Sequence, residues 1–260
     1  MPKKPIIIIS VLCVISLALG YLSGLKDEDS LSNGDAETNS KKEPEFLKEG
    51  LVAYYPFNGN AKDESGNGND GEVIGATFED DRHRMNQRAC FFDGDYDFIE
   101  IRHSETVSFS SPDYTITVWL KYGLPTPPAA VFVKALGYGT GYQGPTVFTE
   151  YTKDGKISFR ERRGSEIISD KSALADNVWR HFAFMKRGLL YSVFINGILD
   201  SSFEKDLGDA RINNNSIWIG ANHEDQKKQN YNGLADDIRI YNRALSAEEV
   251  KALYEFEKAN

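Results

Sequence analysis

From Leu51 onward, apolar and polar residues alternate in short runs broken by Gly, Asn, Asp and Pro. A period of two marks half-buried β-strands. Asp97–Arg102 places Ile99 and Ile101 on one face, and Tyr114, Ile116, Val118 and Leu120 alternate with Thr115, Thr117 and Trp119. The same pattern predicts strands over Leu51–Phe57, Val131–Ala135, Lys156–Arg162, Trp179–Lys186, Leu190–Ile195, Ile198–Phe203, Ser216–Gly220 and Gly233–Tyr241. Asn196-Gly197 stands between two such runs, and both residues accept the positive φ of a tight hairpin turn. Only near the end does the spacing change. Ser246-Ala247-Glu248-Glu249 reads as a capping box, followed by Val250, Leu253 and Tyr254 at helical spacing. Strands that neither repeat nor interleave with helices predict an all-β fold, an antiparallel two-sheet jelly-roll sandwich with one short C-terminal helix.

Before Leu51 the pattern is different. Lys3 and Lys4 precede an apolar run from Ile6 to Leu19, and Ala18-Leu19-Gly20 supplies small residues for cleavage. Residues 1–25 therefore read as a secretory signal peptide or, uncleaved, as a membrane anchor through residues 5–25. Either reading predicts export to an extracellular, periplasmic or cell-surface location. Cys13 lacks the small preceding residue of a lipid-attachment site, and the remaining Cys90, flanked by Ala89, Phe91 and Phe92, has no partner for an internal disulfide. A buried thiol that packs is the expectation. Residues 26–50 are dominated by Asp, Glu, Ser, Asn and Lys and predict a flexible polar spacer, which leaves 51–257 for the domain. A net charge of −9 disfavours a duplex nucleic-acid partner, because the basic clusters at Arg160, Arg162, Arg163 and at Lys227, Lys228 are short.

The residues themselves resemble a known family. Leu51-Val52-Ala53-Tyr54-Tyr55-Pro56-Phe57-Asn58-Gly59-Asn60-Ala61-Lys62-Asp63-Glu64-Ser65-Gly66 is similar to the opening of bacterial laminin-G-like jelly-roll domains. Phe92-Asp93-Gly94, Tyr114–Leu120, Trp179-Arg180-His181-Phe182 and the closing Gly233–Ser246 run are similar to the signatures that follow. The resemblance covers Leu51 to Phe256. It implies a concanavalin A-like sandwich, often with one calcium ion near the joined chain ends, and a module that binds glycans or cell-surface proteins.

The loop from Asn58 to Asp70 is rich in Asn, Asp and Gly, which suits calcium's preference for six to eight hard oxygens and equally suits a plain turn cluster. A strict period of two puts Asp236 on one face with Leu234, Ile238 and Ile240, where an unpaired carboxylate is costly. Since the resemblance brings that strand beside the Asn58 loop, Asn58, Asn60, Asp63 and Asp236 are the expected ligands of a structural calcium ion.

Catalysis finds little support. A retaining glycoside hydrolase needs two carboxyls about 5 Å apart, whereas Glu100 and Glu105 stand five positions apart, an odd spacing that puts them on opposite faces of a strand, and lack the middle acid between them. Gly139, Gly141 and Gly144 match a dinucleotide fingerprint by spacing alone, since Pro145 and a strand-like run follow. The histidines, His83, His103, His181 and His223, lack metal spacing, and His181 reads as a hydrogen-bonded core residue. For ligand contact the candidates are the loop aromatics Tyr138, Tyr142 and Tyr231, whose rings could stack on sugars. The expected function is an exported non-catalytic module that binds carbohydrate; the alternatives are an adhesion or protein-interaction domain and, more distantly, a glycoside hydrolase.

Overall fold

Alternation along each run builds two sheets. The computed structural model describes residues 42–122, 129–134, 147–161, 166–170, 176–205, 214–222 and 230–260. A 3-10 helix over Glu45–Lys48 is followed by β1 (Leu51–Tyr55), β2 (Gly71–Ile74), β3 (Thr77–Glu79), β4 (Ala89–Asp93), β5 (Phe98–Ile101), β6 (Tyr114–Tyr122), β7 (Ala129–Lys134) and β8 (Val147–Tyr151). Next come β9 (Ile157–Glu161), β10 (Glu166–Ile168), β11 (Arg180–Arg187), β12 (Leu190–Ile195), β13 (Ile198–Glu204), β14 (Ile217–Ile219), β15 (Asn232–Tyr241) and α1 (Ala247–Ala259). The larger sheet has the order β13-β12-β11-β6-β15-β4-β3, with β1 also on β15, and the smaller has β10-β9-β8-β7-β14-β5-β2. Every described pairing is antiparallel. The predicted sandwich with one C-terminal helix is what the chain forms. β2, β3, β4 and β10 were not among the expected strands, and β8 is the strand-like run expected after Pro145.

Ile116, Val118 and Leu120 of β6 meet Ile99 and Ile101 of β5 and Ile217 and Ile219 of β14 across the interior. Each such side chain stabilises the fold by roughly 1.5–3 kcal/mol through the water it sheds. Cys90 joins this core, and burial pushes its thiol well above the ordinary range, so it packs rather than reacts. Tyr122, Tyr151 and Tyr231 stack within it, with ring centroids 4.4 Å and 5.5 Å apart from Tyr122. The hairpin turn has Asn196 at φ 52° and Gly197 at φ 74°, as its sequence requires.

A second apolar layer covers the outer face of the larger sheet. Ser246 caps α1, its hydroxyl accepting from Glu249 N and its own N–H donating to the Glu249 carboxylate. Val250 and Leu253 of α1 then pack with Leu47 on Ala183, Met185 and Phe194. Leu47 is fully buried and Glu43 pairs with Arg239, so the folded unit begins before Leu51 and the expected spacer boundary at Gly50 is too late. The signal was faint because Leu47 is one of few large apolar residues in a polar stretch. Among the described residues no helix is long and apolar enough to cross a membrane.

The strict period along β15 fails at one point. Asp237 adopts φ 45° and the pairing with β6 slips between Asp236 and Arg239, which marks a bulge. Ala235, Ile238 and Ile240 consequently join the interior, while Asp236 points outward and does not share a face with Ile238 and Ile240. The bulge carries a carboxylate beneath α1 rather than into the sandwich.

Candidate functional site

The Asn58 loop is organised by Asp63. Its Oδ1 accepts from the backbone N–H groups of Tyr54 and Ser65 at 3.0 and 2.9 Å, and its Oδ2 accepts from that of Asn69 at 2.9 Å. Those bonds, together with the Ser65 side chain, outweigh desolvation and hold the carboxyl below its ordinary range. Asn60 Oδ1 accepts from Lys62 N, and Asn60 Nδ2 donates to the carbonyl of Asn58. This is turn chemistry, in which Asx side chains satisfy local backbone donors.

Asp236 belongs to a different constellation. Arg82, in the loop between β3 and β4, donates from Nη1 to Asp236 Oδ2 at 2.5 Å and from Nη2 to Asp237 Oδ2 at 2.6 Å. Arg82 Nε and Nη2 also donate to the carbonyl of Glu257, and its guanidinium lies 4.7 Å from the centre of the Trp119 ring. The other Asp236 oxygen accepts from Asp237 N, and Tyr54 Oη donates to Asp237. Burial and then the adjacent Asp237 push the Asp236 carboxyl upward, while Arg82 opposes them. The same acids raise Arg82 despite its burial, and the short contact is that of a charge-assisted pair.

Glu257 extends the network from the last turn of α1. Only 2% exposed, it accepts from Trp119 Nε1 at 2.9 Å and from Arg239 Nε at 2.8 Å. Arg239 reaches on to Glu43 at 2.6 Å and lies over the Tyr54 ring. His181 is buried beside them, 3.6 Å from Glu257, with neither ring nitrogen hydrogen-bonded among the described residues. It is a core histidine but not the hydrogen-bonded one expected, and burial together with Arg82 and Arg239 lowers it to about 3.

The four expected calcium ligands fall in two settings. Asn58 and Asp236 line one cavity of about 170 Å³ together with Tyr54, Asp81, Arg82 and Asp237. Both oxygens of Asp63 serve the turn, and both oxygens of Asp236 are engaged. As they stand, the four residues do not offer a cation a shared set of free oxygens. Among the described residues no group of three His, Cys, Asp or Glu is placed to hold a metal ion.

Tyr231 also departs from expectation. It is 1% exposed, and its hydroxyl donates to the carbonyls of Lys121 and Leu234, so its ring is a core surface rather than a ligand platform. Tyr138 and Tyr142 lie outside the described residues, as do His223 and the Gly139–Gly144 motif.

Opposite α1, the outer face of the smaller sheet gathers polar groups that sequence reasoning missed. Register places Ile168, Ser158, Glu150 and Ala130 in one row across β10, β9, β8 and β7. Glu150 is buried, which raises its carboxyl despite Arg160 at 3.8 Å. Among the described residues neither Glu150 Oε2 nor Ser158 Oγ has a hydrogen-bond partner. Arg160 is partly exposed and Ile168, on the sheet's edge strand, is 42% exposed, so the row opens on that side. Farther along, Phe98 and Trp218 stack at 4.1 Å and spend their faces on each other. The run after Pro145 read as strand-like, but its alternation did not single out Glu150 as a buried acid on the outer face.

Similar architectures are known. The binding domain of Paraclostridial Mosquitocidal Protein 1 superposes with a TM-score of 0.63 at 24% identity, over 80% of this chain and 52% of that one. The receptor binding domain of botulinum neurotoxin D gives 0.60 at 15%, over 81% and 54%. The chain thus spans about half the length of these toxin domains. Domain 4 of AbnA, a GH43 extracellular arabinanase from Geobacillus stearothermophilus solved in complex with arabinotriose, gives 0.57 at 23% identity, over 78% of this chain and 98% of that one. Among curated proteins none matches the sequence. At these identities the likenesses show a common fold, and the fold is one seen in binding domains. The sequence model of the concanavalin A-like lectin/glucanases superfamily matches residues 93–251, more than half of the chain, and the protein belongs to that superfamily.

Proposed function

We propose that this chain is an exported, non-catalytic module that binds carbohydrate on the outer face of its smaller sheet. The observation that carries the reading is Glu150, a buried carboxyl with an unmade hydrogen bond beside the Ser158 hydroxyl, on a row that opens toward Arg160 and Ile168. Buried polar groups are nearly always satisfied, so such a pair calls for a ligand that completes it. Adjacent sugar hydroxyls both donate and accept, which matches a carboxyl, a hydroxyl and a guanidinium together. The exposed Ile168 side chain offers an apolar surface to the C–H face of a ring. Tyr138 and Tyr142 are proposed as further contacts. The arabinotriose complex of the similar arabinanase domain supports sugar as the ligand class, and the N-terminal segment supports export.

A glycan array that includes arabino-oligosaccharides, followed by calorimetry on the best ligand, tests the proposal. Glu150→Ala should weaken binding at least tenfold, Ser158→Ala less, and Tyr138→Ala and Tyr142→Ala measurably, with folding unchanged by circular dichroism. If the parent binds no glycan but does bind a cell-surface protein, the adhesion reading takes its place.

A further inference from the structure

We infer that Arg82 is this domain's built-in cation, so that the Asp236–Asp237 pair needs no metal ion. Two neighbouring carboxylates with side chains only 3% and 12% exposed repel each other and resist leaving water unless positive charge is placed between them. In a concanavalin A-like sandwich a divalent ion could supply that charge. Here one guanidinium does, giving one Nη to each acid, while Nε and Nη2 also donate to the Glu257 carbonyl. Its side chain is 8% exposed and the Trp119 ring lies against it, so an ion could enter only by expelling the arginine. The bulge at Asp237 is what brings both carboxylates to the same guanidinium.

The arrangement makes a definite demand on a variant without Arg82. The carboxylates of Asp236 and Asp237, the Glu257 carbonyl, and Asn58 and Asp81 from the same cavity would then surround a space lacking its cation. Six or more oxygens of this kind are what calcium takes. Replacing Arg82 should therefore turn a calcium-indifferent domain into a calcium-dependent one.

The experiment uses the full chain. Thermal unfolding is followed in millimolar calcium and in chelator, and terbium luminescence is excited through tryptophan, since Trp119 lies beside the site. For the wild type the expected midpoint is the same in calcium and chelator, with no sensitised terbium emission. Arg82→Ala should melt lower in chelator, recover several degrees in calcium, and show terbium emission that calcium displaces and a second Asp236→Asn change removes. A wild-type midpoint that rises in calcium and loses the rise in Asp236→Asn would overturn the inference. So would an Arg82→Ala protein that folds and ignores calcium. Should Arg82→Ala fail to fold, the wild-type response and Arg82→Lys decide: the lysine variant keeps a resident cation and is expected to remain calcium-indifferent, and calcium stabilisation of it would count against the arginine.

Discussion

Truncating Glu257 to alanine should cost more than any exposed substitution in α1, because it strips partners from two buried donors at once. Arg239, 1% exposed, would lose the acceptor on its Nε while keeping Glu43 on Nη1, and the Trp119 N–H would be left with none. Removing one member of a buried ion pair costs about 3–5 kcal/mol. The retained Glu43 bond argues for the lower part of that range, and the orphaned indole N–H adds roughly 1 kcal/mol. For a folded unit of Ser40–Asn260 the midpoint moves about 2–4 °C per kcal/mol. Glu257→Ala should therefore lower the midpoint by about 10 °C in a thermal melt followed by near-ultraviolet circular dichroism, which also reads the Trp119 environment. Glu257→Gln keeps the shape and one acceptor oxygen, and should lose about half as much. A shift under about 2 °C for the alanine variant would refute the reasoning, because it would mean that the last turn of α1 is not held by these bonds.

Other outcomes follow from the same geometry. Burial raises Glu257 to about 7 from 4.5, opposed by Arg239 and Arg82, so its folded form holds a proton more tightly than its unfolded form and rising pH removes stability between those values. His181, lowered to about 3 from 6.5, acts in the opposite sense, with stability present above 6.5 and lost as pH falls toward 3. In urea titrations between pH 5 and pH 6, where one proton is worth about 1.4 kcal/mol per pH unit, Glu257→Gln should uncover the histidine slope and His181→Phe the glutamate slope. Identical pH profiles for both variants would contradict the assignment. Asp63→Ala removes the acceptor of three backbone N–H groups and should cost about 2 kcal/mol by urea unfolding, less than the sum of three charged hydrogen bonds because the loop is partly exposed. Its depressed carboxyl gives stability that is lost as pH falls below the ordinary Asp range, and Asp63→Asn should flatten that acid limb. Gly220→Ala would put a Cβ 2.4 Å from the Phe92 ring at a residue with φ 93°, and should cost roughly 2–3 kcal/mol; a midpoint unchanged in the same melt would show that the loop yields.

Much of the fold was legible because local chemistry and global topology agree. Asn196-Gly197 can hardly form anything but a tight turn, the Ser246–Glu249 box starts a helix wherever its apolar stripe can dock, and β6 alternates without interruption. Short strands such as β3 and β10 escaped because three residues carry too little periodicity to separate from loop. The polar constellation was mostly hidden. Glu257 did leave a trace, since Val250, Leu253 and Glu257 share a helical face and an acid on an apolar stripe implies a buried partner. Arg82 left none, because a lone arginine in a polar loop looks the same whether it faces solvent or two carboxylates. Asp236 was singled out as an acid on an apolar face, but a bulge cannot be read from alternation alone, and it turns this carboxylate outward to the Arg82 guanidinium. Tyr231 misled for a related reason: amide neighbours suggest a surface loop, whereas its ring stacks inward on Tyr122.

The pairing of Arg239 with both Glu43 and Glu257 has a mechanical consequence. One guanidinium joins the residues entering the domain to those leaving it, as suits a module whose ends lie close together. A pull applied between the two ends would load this three-residue clasp first and reach the hydrogen-bonded strands only after it opened. Under tension the sandwich would behave as a bead carried on a short link, its smaller sheet shielded from the force by a joint on the opposite side.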